Sequence, residues 1–127
     1  MARWVKENSN PLQNQVGDCV IRAIAKATGK TWDETYVALM LQGFQDKNWP
    51  SANAVWGRYL KRIGFKRNVI PDSCQDCYTV EQFCEDHQQG RFVLALQSHV
   101  VAVIDGQYFD TWDSGQEIPI YYWERTE

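Results

Sequence analysis

A cysteine, a histidine and an aspartate, far apart in this chain, each stand at the edge of an expected secondary-structure element. Gly17-Asp18-Cys19 opens an apolar helix, Ser98-His99 opens an apolar strand, and Asp110-Thr111-Trp112 lies on the strand after it. A thiol is a weak nucleophile until a base takes its proton, and the base works best when a third group orients it. These residue types in this order point to nucleophilic attack on a carbonyl.

Cys19 falls on the first turn of its helix, where unpaired backbone N–H groups and the positive end of the helix dipole favour a thiolate. Gly17 lets a substrate or another backbone approach closely. Asp18 suits the N-cap position, although its charge works against the thiolate and calls for a dominant imidazolium nearby. An isolated cysteine reads first as a core residue; the flanking Gly-Asp and the downstream histidine turn that reading toward a nucleophile. An oxyanion needs donors. The Cys19 backbone N–H is one, and Gln13, Asn14 and Gln15 are all available as a second.

His99 directly precedes the apolar run Val100 to Ile104. Asp105-Gly106 is a strong two-residue hairpin signal. With that turn, Ile104 pairs with Gln107, Val101 with Asp110 and His99 with Trp112. Parity then puts His99, Asp110 and Trp112 on one face, with Asp110 diagonal to His99 at roughly 7–8 Å between backbones. Trp112 could shield the His–Asp bond from water. A three-residue turn with a bulge would shift the register and favour Asp113.

The elements that must position these residues read as follows. A buried helix runs from about Asp18 to Thr28, stopped by Gly29. Thr31 to Glu34 is a capping box opening a helix to about Leu41, ended by Gly43. A third helix covers about Ala52 to Ile63. Phe65 to Ile70 is a short strand. A second capping box at Thr79 to Gln82 opens a helix to about His87. Residues 91–96, 99–104, 107–112 and 118–123 form an antiparallel meander. Helices first and sheet second give an α+β fold in a single domain, residues 1–127. Residues 1–16 read as polar and irregular.

The 127-residue chain is 44% apolar and 23% charged, with net charge −3, as in an ordinary globular protein. No basic run suggests nucleic-acid binding. No apolar stretch approaches the roughly 18 residues of a membrane span, and the first residues lack the apolar stretch of a signal peptide. A cytoplasmic location with reduced thiols is expected, with no membrane partner. Six tryptophans serve either a small core or a peptide cleft.

Besides Cys19 there are Cys74, Cys77 and Cys84. Together with His87 they supply the ligand types of a zinc site, but only six residues separate the two pairs, fewer than in common finger spacings. The plainer reading is loop thiols and a packed Cys84.

The quoted motifs resemble the papain-like cysteine peptidase superfamily, and within it the peptidases that remove double-glycine leaders and their small relatives. Gln13, four residues, then Asp18-Cys19 matches their N-terminal motif; Ser98-His99-Val100-Val101 matches their histidine strand; Asp110-Thr111-Trp112 matches the third residue with its shielding Trp. Short phage-encoded proteins look similar. The resemblance covers Gln13 to about Thr28 and about Arg91 to Gly115. It implies a papain-like fold, with the cysteine at a buried helix N-terminus packed on a C-terminal antiparallel sheet. It further implies Cys19 as nucleophile, His99 as base and acid, Asp110 as orienter and Gln13 as oxyanion donor, acting without a cofactor on a peptide or protein. Amidase or acyltransferase chemistry would use the same residues. Val20 stands where relatives usually carry Gly, which supports a second reading, a binding module on the same fold without the chemistry. A small zinc-stabilised interaction protein is the third.

Overall fold

The structure, a computed structural model, describes residues 3–70 and 78–126. Along the chain these form β1 (Trp4–Lys6), α1 (Cys19–Thr28), α2 (Trp32–Asp46), α3 (Asn53–Arg62), β2 (Phe65–Val69), α4 (Val80–Asp86), β3 (Arg91–Ala95), β4 (Val100–Ile104), β5 (Gln107–Asp110) and β6 (Tyr121–Arg125). The class is α+β, as expected: four helices and one six-stranded sheet among the described residues.

The helices start and stop for local reasons. Gly29 ends α1 in the left-handed region at φ 78°, its N–H donating to Ala25 O at 3.0 Å. Thr31 forms the full capping box of α2, its hydroxyl accepting from Glu34 N–H while Glu34 accepts from Thr31 N–H. The expected stop at Gly43 is corrected, since α2 runs on to Asp46. Gly43 is instead a packing position. A Cβ there would lie 2.8 Å from Asn48 O and 3.1 Å from Pro50, so the missing side chain lets the next loop fold back onto the helix. Asp18 holds the N-cap position of α1, yet its side chain makes no capping bond and turns elsewhere.

The sheet runs β1-β5-β4-β3-β6-β2. The β3-β4-β5 run is the expected meander, and Asp105-Gly106 is the expected turn, with φ 50° and 81°. Ile104 accordingly sits opposite Gln107 and Val103 opposite Tyr108. The meander does not extend to β6, which pairs with β3 instead. The reason lies in residues 113–117. Gly115 O and Glu117 O accept the first N–H groups of α4, and that contact carries the chain around the sheet rather than back along β5. Residues 4–6, expected to be irregular, form β1, which pairs parallel to β5.

Alternation along β3 and β4 separates two cores, as in strands buried on both faces. Val93, Ala95, Val100 and Ala102 pack with Val20, Ile24, Trp56 and Leu60 from α1 and α3. Phe92, Leu94, Val101 and Val103 pack with Val80, Phe83 and Cys84 from α4. The first core clamps α1 across the sheet and thereby brings the start of that helix to the mouth of β4. Among the described residues no helix is long and apolar enough to cross a membrane.

Candidate active site

Cys19 is the first residue of α1 and half-buried. His99 closes the tight Gln97-Ser98 turn, its carbonyl accepting from Leu96 N–H at 2.8 Å. That turn brings the imidazole to the helix start, where His99 and Cys19 wall one cavity and the ring and the Val100 N–H act on the thiol. The other side of the ring faces Asp110, with Nε2 at 2.6 Å from Oδ2. Nε2 is thus committed to the carboxylate, and Nδ1 is the nitrogen left for sulfur.

Asp110 is 1% exposed and fully answered. Oδ2 also accepts from Ser114 Oγ at 2.7 Å, and Oδ1 accepts from Thr111 N–H at 2.8 Å and Arg22 Nη1 at 3.3 Å. A buried carboxylate held by this many donors keeps both its charge and its orientation. Asp113, the other candidate, accepts the Tyr108 hydroxyl and Gly115 N–H, and takes no part in the His99 contact.

The electrostatics follow from these contacts. Burial opposes ionisation of Cys19, but the His99 hydrogen bond and charge, Val100 N–H and the Arg22 cation together hold its thiol below its ordinary value. Burial likewise opposes the imidazolium of His99, and here the bonds to Asp110 and Cys19 with their charges outweigh it, raising the ring to about 9. Asp110 is disfavoured as an anion by burial, yet the His99 and Ser114 hydrogen bonds and the His99 charge bring it below its ordinary range. The arrangement therefore shifts the balance from thiol–imidazole toward a thiolate–imidazolium pair.

A cavity of about 430 Å³ opens over Cys19 and His99, with Gln15, Gly17, Arg22 and Trp112 among its walls. Gly17 leaves its floor open, since a Cβ added there would meet nothing within 4 Å. Trp112 lies over His99 with ring centroids 5.0 Å apart, and is itself 43% exposed. It covers one face of the imidazole. A second cavity, about 310 Å³ and largely apolar, shares Gly17 and Asp18 with the first and is walled by Ile21, Tyr36, Met40 and Trp49.

Gln13 is placed otherwise than the resemblance implies. Its Nε2 donates to Asn8 O at 2.8 Å and to Asn10 O at 2.9 Å, so both amide hydrogens are spent on its own loop. It does not line the cavity, whereas Asn14 and Gln15 do. The Gln13 backbone, at φ 58°, belongs to the same tight loop.

Of the zinc-type residues, Cys74 and Cys77 lie outside the described residues. Cys84 is wholly buried in the α4 core, and burial pushes its thiol up to about 12. His87 stacks on Phe83 at 3.8 Å, with Nδ1 3.0 Å from Phe83 O. Among the described residues no group of three or more His, Cys, Asp or Glu is placed to hold a metal ion.

Two contributors were not singled out from sequence. Arg22 stands four residues after Asp18 on one helix, an i, i+4 ion-pair pattern that sequence does carry. Ser114 sits in a loop, and nothing in its neighbours marks it. Compared with known protein families, characterised proteins and solved structures, the chain matches none.

Proposed function

We propose that this protein is a thiol hydrolase of papain-like type, a cysteine peptidase acting on a peptide or isopeptide bond. The observation that carries the reading is the His99 ring, which shares one cavity with the Cys19 thiol and is bonded to a buried, saturated Asp110. The order Cys, His, Asp along the chain and the Trp112 cover over the imidazole support it.

In the reaction, the Cys19 thiolate attacks the carbonyl carbon and the C=O electrons move to oxygen. The Cys19 backbone N–H, one of the unpaired donors at a helix start, faces the developing oxyanion. The second donor comes from the loop before α1, and Gln15 takes that role because Gln13 is spent. Collapse of the intermediate breaks the C–N bond as the His99 imidazolium gives its proton to the departing amine, leaving a thioester. His99, now neutral, takes a proton from water; the hydroxide attacks the thioester, the acid is released, and the thiolate–imidazolium pair re-forms. Asp110 holds the ring in place throughout. The adjoining apolar cavity offers a berth for an apolar side chain of the same substrate, which favours a peptide over a small amide.

The test is labelling with a peptidyl electrophile followed by peptide mapping. Cys19 should be modified at neutral pH, and His99→Ala should slow this by about 100-fold or more. Gln15→Ala should slow turnover of a cleavable peptide more than Gln13→Ala does. Labelling spread evenly over all cysteines and indifferent to His99→Ala would end the proposal.

A further inference from the structure

The site contains a charge problem that its core residues leave unsolved. Asp18, immediately before Cys19, is 5% exposed, and Asp110 is buried behind His99. Two carboxylates in an enclosed site oppose formation of a third anion, the thiolate, between them. Arg22 answers both. Its Nε donates to Asp18 Oδ1 at 2.8 Å and its Nη1 to Asp110 Oδ1 at 3.3 Å, with the side chain only 12% exposed.

These contacts close a ring. Cys19 meets His99, His99 meets Asp110, Asp110 meets Arg22, Arg22 meets Asp18, and Asp18 is bonded through the backbone to Cys19. Asp18 is further held by the Trp32 indole at 2.9 Å and by Asn10 Nδ2 at 3.3 Å, so the ring is anchored to α2 and to the preceding loop. Arg22 stands three residues after Cys19, placing it on the same helix face.

We propose that Arg22 is a positioning residue of this site, a guanidinium bridge that balances the two carboxylates flanking the thiolate–imidazolium pair and fixes the helix start against the Asp110 strand. The proposal rests on the thiol-hydrolase reading. A planar, always-charged fork suits a bridge between two carboxylates, and a lysine ammonium would not span them in the same way. The charged or titratable groups facing the pair are Asp18 and Arg22 from α1, His99 from the turn before β4 and Asp110 from β5. Among the described residues that wall the cavity, the loop before α1 and the segment after β5 add the neutral Asn8, Asn14, Gln15, Thr111 and Trp112. Of the residues packed nearby, Trp32 is neutral and Glu7 is paired with Lys26 at 3.1 Å. Arg22 is therefore the fixed cation of the cluster.

A purely structural arginine would change stability and leave the titration of Cys19 where it was. A charge-balancing one moves both of its steps in one direction. Removing the cation makes the thiolate harder to form and the imidazolium harder to lose.

The experiment is the rate of Cys19 alkylation by iodoacetamide, mapped by mass spectrometry from about pH 4 to about pH 10, where the coupled pair titrates in two steps. Arg22→Gln should move both steps upward by about half a unit or more. Asp18→Asn, nearly isosteric, should move both downward, and it reads the same coupling if Arg22→Gln does not fold. Arg22→Lys should fall between wild type and Arg22→Gln. A folded Arg22→Gln or Asp18→Asn with both steps within about 0.2 unit of wild type, or with the steps moving apart, overturns the proposal. Failure of the underlying reading looks different: wild-type Cys19 would itself titrate as an ordinary thiol, unmoved by His99→Ala.

Discussion

Cys19 and Cys84 carry the same thiol on two helices of one small protein, and the fold treats them in opposite ways. Cys84 lies inside α4 against Phe83, Phe92 and the sheet, where burial works against its anion and holds the thiol up to about 12. Cys19 is also opposed by partial burial, yet the His99 imidazole, the Val100 N–H and, through its charge, the Arg22 guanidinium favour the anion, and its thiol falls below the ordinary value. The difference teaches that burial alone does not set reactivity. What decides is whether the groups around the sulfur favour its charged form strongly enough: a helix start and a strand mouth supply such groups for Cys19, while for Cys84 burial outweighs the single Arg3 cation.

The largest effect that could break this contrast is kinetic. At pH 7 iodoacetamide should modify Cys19 at least about a thousandfold faster than Cys84, because Cys19 is reachable with its thiol below the ordinary value, whereas Cys84 is wholly buried with its thiol raised. In denaturant the ratio should fall to within about threefold. Comparable native rates would remove the distinction.

A smaller effect sharpens it through pH. His99 is raised from 6.5 to about 9, so its contribution to stability is fully present below about pH 6.5 and is lost as pH rises through 9. Asp110 is lowered from 3.8, so its contribution is present above that value and lost as pH falls through its depressed one. Urea midpoints should therefore decline on both sides of a plateau lying between these limits, and His99→Ala should remove the part of the alkaline decline between about pH 6.5 and 9, leaving the part above pH 9 where the raised Cys84 thiol contributes. A decline between about pH 6.5 and 9 that persists in His99→Ala would show that another group is responsible there.

The smallest effect concerns packing. Cys84→Ala should cost about 1–2 kcal/mol in equilibrium unfolding, as a wholly buried sulfur leaves a small void, and should leave Cys19 alkylation unchanged. A change in Cys19 reactivity would mean that the two faces of the sheet are coupled.

Much of the site's geometry was legible because short-range chemistry fixed it. Asp105-Gly106 takes the left-handed backbone that a two-residue hairpin requires, and that turn sets the register bringing Asp110 to His99. The Thr31 capping box and the Gly29 stop are local in the same sense. What was not legible depends on distant partners. β1 has three residues and no pattern of its own, and exists because β5 offers an open edge. Gly43 reads as a stop in sequence and is a close-packing position in space, a difference that only Pro50 and Asn48 reveal. The amide nearest the cavity depends on how the loop before α1 folds, and Gln13 is held by that loop's own carbonyls.

The β1–β5 pairing bears on when the site comes into being. The carbonyl of Asp110 accepts from Glu7 N–H at 3.0 Å and from Trp4 Nε1 at 3.2 Å, a contact spanning 106 positions. The strand carrying Asp110 is thus held from behind by residues made long before it. During synthesis Cys19 leaves the ribosome early and waits, as an unactivated thiol, for His99, then Asp110, then the return of β1 to that edge. The His99 and Val100 groups that lower the Cys19 thiol are therefore synthesised about 80 positions after it, and long-range closure is the slow part of folding.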